Sequence, residues 1–272
     1  MNNEPIYLDY NATSPIDPVV IEAMTDVLRR QYMNPASQHR PGQLARSAIE
    51  QSRTHIINLL GGVATGMETD SLVFTSGGTE ANNLALFGLA EATRDASDGD
   101  RQQRGRVLVS AVEHPSIAGA GTALVARGFH FEKIPVDRHG VCRLDELQRM
   151  LADGPVPLVV ALMLANNETG VVQPVAEAAA ICRDAGVPIH CDAVQVVGKL
   201  PVNFRELGVD TMAFTAHKFH GPKGIGFAFI KRNSGLKPMI AGGSQERGFR
   251  AGTESLHNIV GLEEAFVAAY DN

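Results

Sequence analysis

Several features that mark special classes of protein are missing from this sequence. It has no run of about 18 apolar residues, so no membrane span is predicted. Its N-terminus has no basic region followed by an apolar run, so secretion is not signalled. Basic residues form no stripe, and the net charge of −6 argues against a direct nucleic-acid partner. These absences leave a globular protein, and a hydrophobic content of 44% is enough to form a sizeable core.

Cysteine is scarce as well. The chain has three, Cys142, Cys182 and Cys191, which form no CxxC pair and show no zinc-site spacing. This pattern favours reduced thiols in a cytoplasmic protein. Cys191 precedes Asp192, whose negative charge would disfavour a thiolate. Cys191 is therefore a poor candidate for a nucleophile.

Short apolar runs alternate with longer amphipathic segments along the 272 residues. The apolar runs predict strands at 71–75, 106–110, 130–135, 158–164, 187–191, 211–214 and 225–230. The amphipathic segments predict helices at 18–31, 42–60, 79–93, 116–127, 144–151, 174–185 and 257–270. Continuous apolar strands separated by helices imply an α/β fold, with a mainly parallel seven-stranded sheet and helices on both faces. The polar stretch 95–106 is expected to be an exposed loop.

Polar clusters follow five of the predicted strands. They occupy residues 76–83, 113–116, 166–170, 190–195 and 215–218. Ligands bind beyond the carboxyl ends of the strands in open parallel sheets, so the five clusters predict one shared site.

The last cluster ends in Lys218, next to Thr215 and His217 and before a glycine-rich turn. A lysine amine attacks a carbonyl or imine when burial or nearby charge destabilises its ammonium form. A lysine after a strand is more often a solvated surface group, so the prediction depends on the other clusters. In the first cluster, Gly78 and Thr79 open a helix. This turn is equally consistent with an anion site and with a helix cap made by Thr79.

Four other polar side chains are candidates for a ligand site. Asp192 follows an apolar strand, where a partly buried carboxylate needs a partner such as a protonated pyridine nitrogen. Alternatively, the Asp192 side chain caps the next turn. Gln195 faces the same side if that turn is helical. His114 could stack on a flat ring or relay protons, although most histidines in such loops are surface groups. Asn167 could bond a ring hydroxyl or simply form the turn.

Taken in order, the polar motifs resemble those of a known family. They occupy residues 7–13, 34–37, 76–80, 113–115, 166–170, 192–195, 217–218 and 242–253. The chain is similar to cysteine desulfurases of the NifS/IscS type, within the class V aminotransferase group of fold-type I pyridoxal-phosphate enzymes. This resemblance implies that residues 1–272 form the large, cofactor-binding domain, N-terminal segment included.

The resemblance also implies a role for each matching residue. Lys218 would bond covalently to pyridoxal 5′-phosphate and later move a proton, and His114 would stack over the ring. The other implied contacts are Asp192 with the ring nitrogen, Gln195 and Asn167 with the ring hydroxyl region, Gly78, Thr79, Thr215 and His217 with the phosphate, Thr253 with the phosphate of the neighbouring subunit of a homodimer, and Asn34 with the substrate.

The implied reaction converts L-cysteine to L-alanine and passes the sulfur as a persulfide to an acceptor protein. That acceptor is an iron–sulfur cluster assembly scaffold or a tRNA-thiolation protein in the cytoplasm. In this family the persulfide-forming cysteine and a substrate-binding arginine lie in a C-terminal small domain. The sequence ends before such a domain, which is expected to be absent or truncated, and none of the three cysteines matches the nucleophile's motif. The alternatives are another class V enzyme, an aminotransferase or a selenocysteine lyase, and a non-catalytic cofactor-binding homologue.

Overall fold

The computed structural model describes residues 6–96 and 105–271. Its helices are α1 (Pro18–Arg30), α2 (Arg40–Leu59), α3 (Gly78–Asp95), α4 (Pro115–Ala126), α5 (Leu144–Ala152), α6 (Val175–Asp184), α7 (Phe204–Leu207) and α8 (Leu256–Asp271). Its strands are β1 (Ser71–Thr75), β2 (Arg106–Ser110), β3 (His130–Ile134), β4 (Val159–Ala161), β5 (Ile189–Asp192), β6 (Thr211–Thr215) and β7 (Gly226–Ile230). Two 3₁₀ helices cover Ala216–Lys218 and Gln245–Gly248.

All seven predicted strands and all seven predicted helices are present. β4 is shorter than predicted, but Leu162 and Leu164 still donate backbone hydrogen bonds to β5, to the carbonyls of His190 and Asp192. The sequence pattern did not reveal α7, because one helical turn is too short to display a period.

The predicted loop 95–106 is wrong at Asp95, which belongs to α3. At Arg106 it overlapped the predicted strand 106–110, and the structure confirms the strand. Residues 97–104 of the predicted loop lie outside the described residues. Asp95 ends α3, and Arg106 begins β2 as a buried residue. Arg106 is accommodated because its Nε lies 2.6 Å from Glu132 Oε1 and its guanidinium also donates to three backbone carbonyls. From sequence alone, a charged residue at the end of a strand is expected to be exposed in a loop, because its buried partners are not known.

The sheet has the order β1-β7-β6-β5-β4-β2-β3. β7 is antiparallel to both of its neighbours, and the other four pairings are parallel. The mainly parallel seven-stranded sheet is therefore confirmed. Six strands end at one edge of this sheet, and β7 begins there, so the polar clusters that follow the strands meet at that edge.

Helices cover both faces of the sheet. α3 and α4 pack on one face over small and branched side chains such as Val107, Ala213 and Ala228. α1, α2, α5, α6 and α8 belong to the other face, where large side chains such as Phe214 and Phe227 are fully buried. None of the helices in the described ranges has the length and apolar character that crossing a bilayer requires.

The chain before α1 lies against the turn that follows β6. Ser14 N donates to His217 O at 2.8 Å, and Asp17 N donates to His220 O at 2.9 Å. Asp17 also begins α1, because its carboxylate accepts from Val19 N at 2.9 Å and proline follows at the first helical position. These contacts hold the N-terminal segment beside Lys218.

Candidate active site

A pocket of about 240 Å³ lies at the edge of the sheet where the polar clusters meet. Nine of the predicted site residues line it: Gly78, Thr79, His114, Asn167, Asp192, Gln195, Thr215, His217 and Lys218. They come from five separate chain segments, so the fold brings together what the sequence disperses.

Lys218 ends the 3₁₀ helix that directly follows β6. Its side chain is half-buried, and its amine donates to the carbonyl of Asn11 in the N-terminal segment. Burial lowers the pKa of Lys218, and the positive charge of Lys199 lowers it further. Both effects raise the neutral fraction of the amine, which is the form that attacks a carbonyl carbon.

Asp192 ends β5 and is buried. Its Oδ2 accepts from Asn82 Nδ2 at 2.7 Å, and its Oδ1 accepts from Val194 N at 3.0 Å. Burial raises the pKa of Asp192, while these hydrogen bonds and the nearby His114 and Lys218 oppose that rise. A buried carboxylate that lines a pocket is suited to a cationic ring nitrogen.

The turn between β1 and α3 leaves a helix N-terminus open. The N-cap residue is Gly77 and no side chain caps the helix, so the interpretation of Thr79 as the cap is wrong. A Cβ added at Gly78 would lie 2.8 Å from Val194 Cγ2 and 3.5 Å from Thr215 Cβ. Glycine is thus required where the backbone passes the pocket wall, and the N–H groups of the first turn stay available to an anion.

His114 is the N-cap of α4. Its Nδ1 accepts from Ser116 N at 3.1 Å, so the neutral ring carries its proton on Nε2. This hydrogen bond fixes the imidazole at the pocket wall.

His217 lies next to Lys218. Burial lowers the pKa of His217, and the positive charges of Lys218 and Lys223 lower it further.

Two predicted amides line the pocket, and both have partners. Gln195 Nε2 donates to Asn11 O at 3.0 Å, and its Oε1 accepts from Lys199 Nζ at 3.1 Å. Asn167 Nδ2 donates to Glu168 Oε1 at 2.7 Å. Gln195 therefore shares the Asn11 carbonyl with Lys218.

Two predicted residues do not line this pocket. Thr253 is exposed in the loop that precedes α8. Asn34 is also exposed, and its Oδ1 accepts from Ala36 N at 2.9 Å within its own turn. Their roles, and those of the nine pocket residues, stay predictions.

Asn82 and His190 were not among the predicted site residues. Asn82 lies one helical turn after Gly78 and also lines the pocket. His190 is fully buried two residues before Asp192, so both side chains point to the same face of β5. The spacings of four in a helix and two in a strand are the sequence signals that could have identified both residues.

All three cysteines are buried. Burial raises the pKa of Cys142 to about 11 and that of Cys182 to about 12. Burial and the charge of Asp192 raise the pKa of Cys191 well above its ordinary value, as the sequence suggested. Cys191 packs in the core on the face opposite Asp192, and no cysteine lines the pocket.

Glu113, next to His114, carries an unusual carboxyl group. Its Oε1 accepts from Ser110 Oγ at 2.5 Å and from Met163 N at 2.7 Å. Its Oε2 is buried without a hydrogen-bond partner among the described residues. Burial, and the charge of Asp192, raise the pKa of Glu113 to about 7.

Fold and pocket together define an α/β protein whose site suits an anionic ligand with a carbonyl group and a basic ring. The open end of α3 suits the anion, Lys218 the carbonyl and Asp192 the ring. The aminotransferase class V family matches residues 6–270. The chain belongs to that family, whose cofactor is pyridoxal 5′-phosphate.

Similar proteins carry related names. The chain is 40% identical over 264 residues to the cysteine desulfurase IscS of Dictyoglomus turgidum, and 41% identical over 264 residues to a cysteine desulfurase of Bradyrhizobium diazoefficiens. The alignments cover 97% of this chain but 64% of each relative. The chain therefore spans less than two thirds of the length of these relatives.

Solved structures agree with this assignment. A NifS-like protein superposes with a TM-score of 0.89 at 34% identity, over 98% of this chain and 70% of that one. SspA in complex with cysteine superposes with a TM-score of 0.87 at 31% identity, over 97% and 72% of the two chains.

Proposed function

We propose that this chain is the cofactor-binding domain of a pyridoxal-phosphate-dependent cysteine desulfurase. In this reaction, L-cysteine and an acceptor thiol give L-alanine and an acceptor persulfide, so the sulfur leaves the substrate and bonds to the acceptor sulfur. The observation that carries the proposal is that one pocket combines the Lys218 amine, the buried Asp192 carboxylate and the uncapped end of α3.

The residues fit pyridoxal 5′-phosphate, which supplies an electron sink to an amino acid bound on it. The N–H groups at Gly78 and Thr79 suit the phosphate, since glycine is required there and no side chain caps the helix. Asp192 suits the ring nitrogen, and His114 is fixed beside it by its bond to Ser116.

The protein side chains then bind, orient and move protons. Asp192 would hold a positive ring nitrogen, because the hydrogen bonds from Asn82 and Val194 orient its carboxylate. Lys218 accepts and returns a proton, because burial and Lys199 lower its pKa. Gln195, whose Oε1 accepts from Lys199, would offer its amide nitrogen to a ring hydroxyl in place of the Asn11 carbonyl.

The acceptor thiol is proposed to come from outside the three cysteines of this chain. A sulfur acceptor must be a reachable thiolate, and these three thiols are buried with raised pKa values. We therefore propose a thiol on another polypeptide segment, serving iron–sulfur cluster assembly or tRNA thiolation in the cytoplasm. A homodimer, with exposed Thr253 reaching the partner's phosphate, is part of the same proposal.

The burial of the cysteines also favours a second candidate. An aminotransferase or lyase of the same family needs no thiolate from the enzyme, so the same pocket would serve it unchanged. Product analysis separates the two candidates. Sulfide and alanine in equal amounts from L-cysteine and a thiol reductant indicate the desulfurase. Formation of 3-mercaptopyruvate without sulfide, when a 2-oxo acid is supplied to accept the amino group, indicates transamination.

The test of the cofactor site is borohydride reduction of the protein incubated with pyridoxal 5′-phosphate, followed by peptide mapping. We expect the reduced label on Lys218 and no label in Lys218→Ala. Lys231→Ala is the matched control, since Lys231 pairs with Asp210 away from the pocket and its loss should leave labelling unchanged. A label on another lysine, or none, would refute the proposal.

A further inference from the structure

A chain of buried hydrogen bonds extends from Asp192 into the protein. Asp192 Oδ2 accepts from Asn82 Nδ2 at 2.7 Å, and Asn82 Oδ1 lies 2.9 Å from His190 Nε2. His190 Nδ1 lies 2.9 Å from Thr211 Oγ1. All four residues are buried.

The Asn82 amide sets the direction of the bonds in this chain. The amide nitrogen of Asn82 faces both Asp192 Oδ2 and Ser116 Oγ, at 2.7 and 2.9 Å, which uses both of its hydrogens. Its Oδ1 must then accept from His190. Burial lowers the pKa of His190 to about 3, so the ring is neutral at pH 7 with its one proton on Nε2. Thr211 therefore donates to Nδ1, and every donor points toward Asp192.

The fold explains why these side chains meet. Strand alternation places His190 and Asp192 on the face of β5 that α3 covers. Thr211 is directly opposite His190 in the parallel register of β5 and β6. Asn82 lies one turn into α3, so the same helix presents its open end and this amide to the pocket.

We propose that Asn82, oriented by His190 and Thr211, is a positioning residue that keeps the Asp192 carboxylate ionised and directed into the pocket. This inference rests on the proposed function, in which Asp192 pairs with a positive ring nitrogen. The titratable groups near Asp192 are His114 at the N-cap of α4, Lys218 in the 3₁₀ helix and Glu113 in the loop before α4. The Asn82 amide does not titrate, so its hydrogen bond to Asp192 is retained at any pH at which the protein is folded.

The experiment measures the pKa of Asp192 directly, by carbon-13 NMR of labelled aspartate carboxyls in the cofactor-free protein, with Asp192→Asn to assign the signal. Asn82→Leu keeps the branching at Cγ and removes the donor. We expect this change to raise the pKa of Asp192 by about one to two units, the effect of losing a hydrogen bond to a charged acceptor.

A matched pair at the next position tests orientation. His190→Gln keeps a donor nitrogen facing Asn82 and should leave the pKa of Asp192 within about 0.3 units of wild type. His190→Leu removes the donor and should raise that pKa by at least about half a unit. If Asn82→Leu does not fold, this pair decides the matter. Lower melting temperatures with an unchanged pKa of Asp192 would mean that the chain of bonds only stabilises the core, and would overturn the proposal.

Cofactor binding separates this inference from the proposed function. Where wild type binds pyridoxal 5′-phosphate, Asn82→Leu should weaken binding about tenfold, equivalent to one pKa unit, and His190→Gln less than about threefold. Equal affinities in wild type and Asn82→Leu would refute the positioning role. Wild type that takes up no cofactor would refute the proposed function, while the pKa of Asp192 still tests the role of Asn82.

Discussion

The loop of residues 245–253 is anchored by a buried ion pair, and Glu246→Gln tests that anchor. Arg53 and Glu246 side chains are each 2% exposed, with Arg53 Nη1 at 2.7 Å from Oε2 and Nη2 at 3.1 Å from Oε1. Glu246 Oε2 also accepts from Phe74 N in β1 at 2.8 Å. Glu246 and Arg247 have φ angles of 47° and 56°, a left-handed conformation that costs roughly 1–3 kcal/mol for each such residue.

Glutamine in place of Glu246 retains the shape and an acceptor for Phe74 but leaves the Arg53 charge without its main partner. Removing one member of a buried pair typically costs about 3–5 kcal/mol. At roughly 2–4 °C for each kcal/mol in a protein of about this size, the melting temperature should fall by roughly 6–20 °C.

The assay is urea unfolding followed by circular dichroism, with the free energy of unfolding compared at one pH. Glu146→Gln is the control, since it breaks an exposed pair with Arg149 at 2.8 Å and should change stability by less than about 1 kcal/mol. Replacing Arg53 by methionine in the Glu246→Gln background should recover part of the loss, because no buried charge then remains. A Glu246→Gln protein within about 1 kcal/mol of wild type would refute the reasoning.

Three further predictions follow from the site. The pKa of Glu113 is raised from 4.5 to about 7, so its protonated form stabilises the native protein by on the order of 3 kcal/mol. This stabilisation is complete below about pH 4.5 and is lost as the pH rises to about 7. Urea unfolding at several pH values should show the loss in wild type and not in Glu113→Gln, and parallel pH dependences would contradict the prediction. The three cysteines should react slowly with Ellman's reagent in the native protein and completely after unfolding, so rapid release of one equivalent from native protein would show that a thiol is reachable. Gly78→Ala should weaken binding of pyridoxal 5′-phosphate in a fluorescence titration, because its Cβ would meet Val194 at 2.8 Å. The control Gly119→Ala, with open space around an exposed helix position, should bind normally and be stabilised by roughly 0.5–1 kcal/mol.

The sequence was most informative where one local signal decided the structure. β1 and β2 were predicted with the bounds that the structure has, because apolar runs between polar turns are short-range signals. The convergence of Lys218, Asp192 and His114 on one pocket was also predictable, since residues after parallel strands share one edge of the sheet.

The remaining features depend on contacts between distant parts of the chain. The position of β7 between β1 and β6 pairs it with a strand about 150 residues earlier, and nothing within β7 itself indicates that partner. The Arg53–Glu246 pair joins residues 193 positions apart. From sequence alone, each of these charged residues is expected at the surface. Asn82 was not assigned a role because an asparagine inside a helix usually faces solvent, and only the packing of α3 on β5 turns it inward.

The position of β1 has a consequence for synthesis on the ribosome. Within the described residues, β1 is hydrogen-bonded to β7 alone, and Thr75 pairs with Gly226. At roughly 5–20 residues per second, the intervening stretch of about 150 residues takes on the order of 8–30 s to translate. For that interval a strand with three fully apolar positions, Leu72, Val73 and Phe74, has no partner and is available to misassociate. A nascent chain of this protein should therefore engage holdase chaperones until β7 emerges.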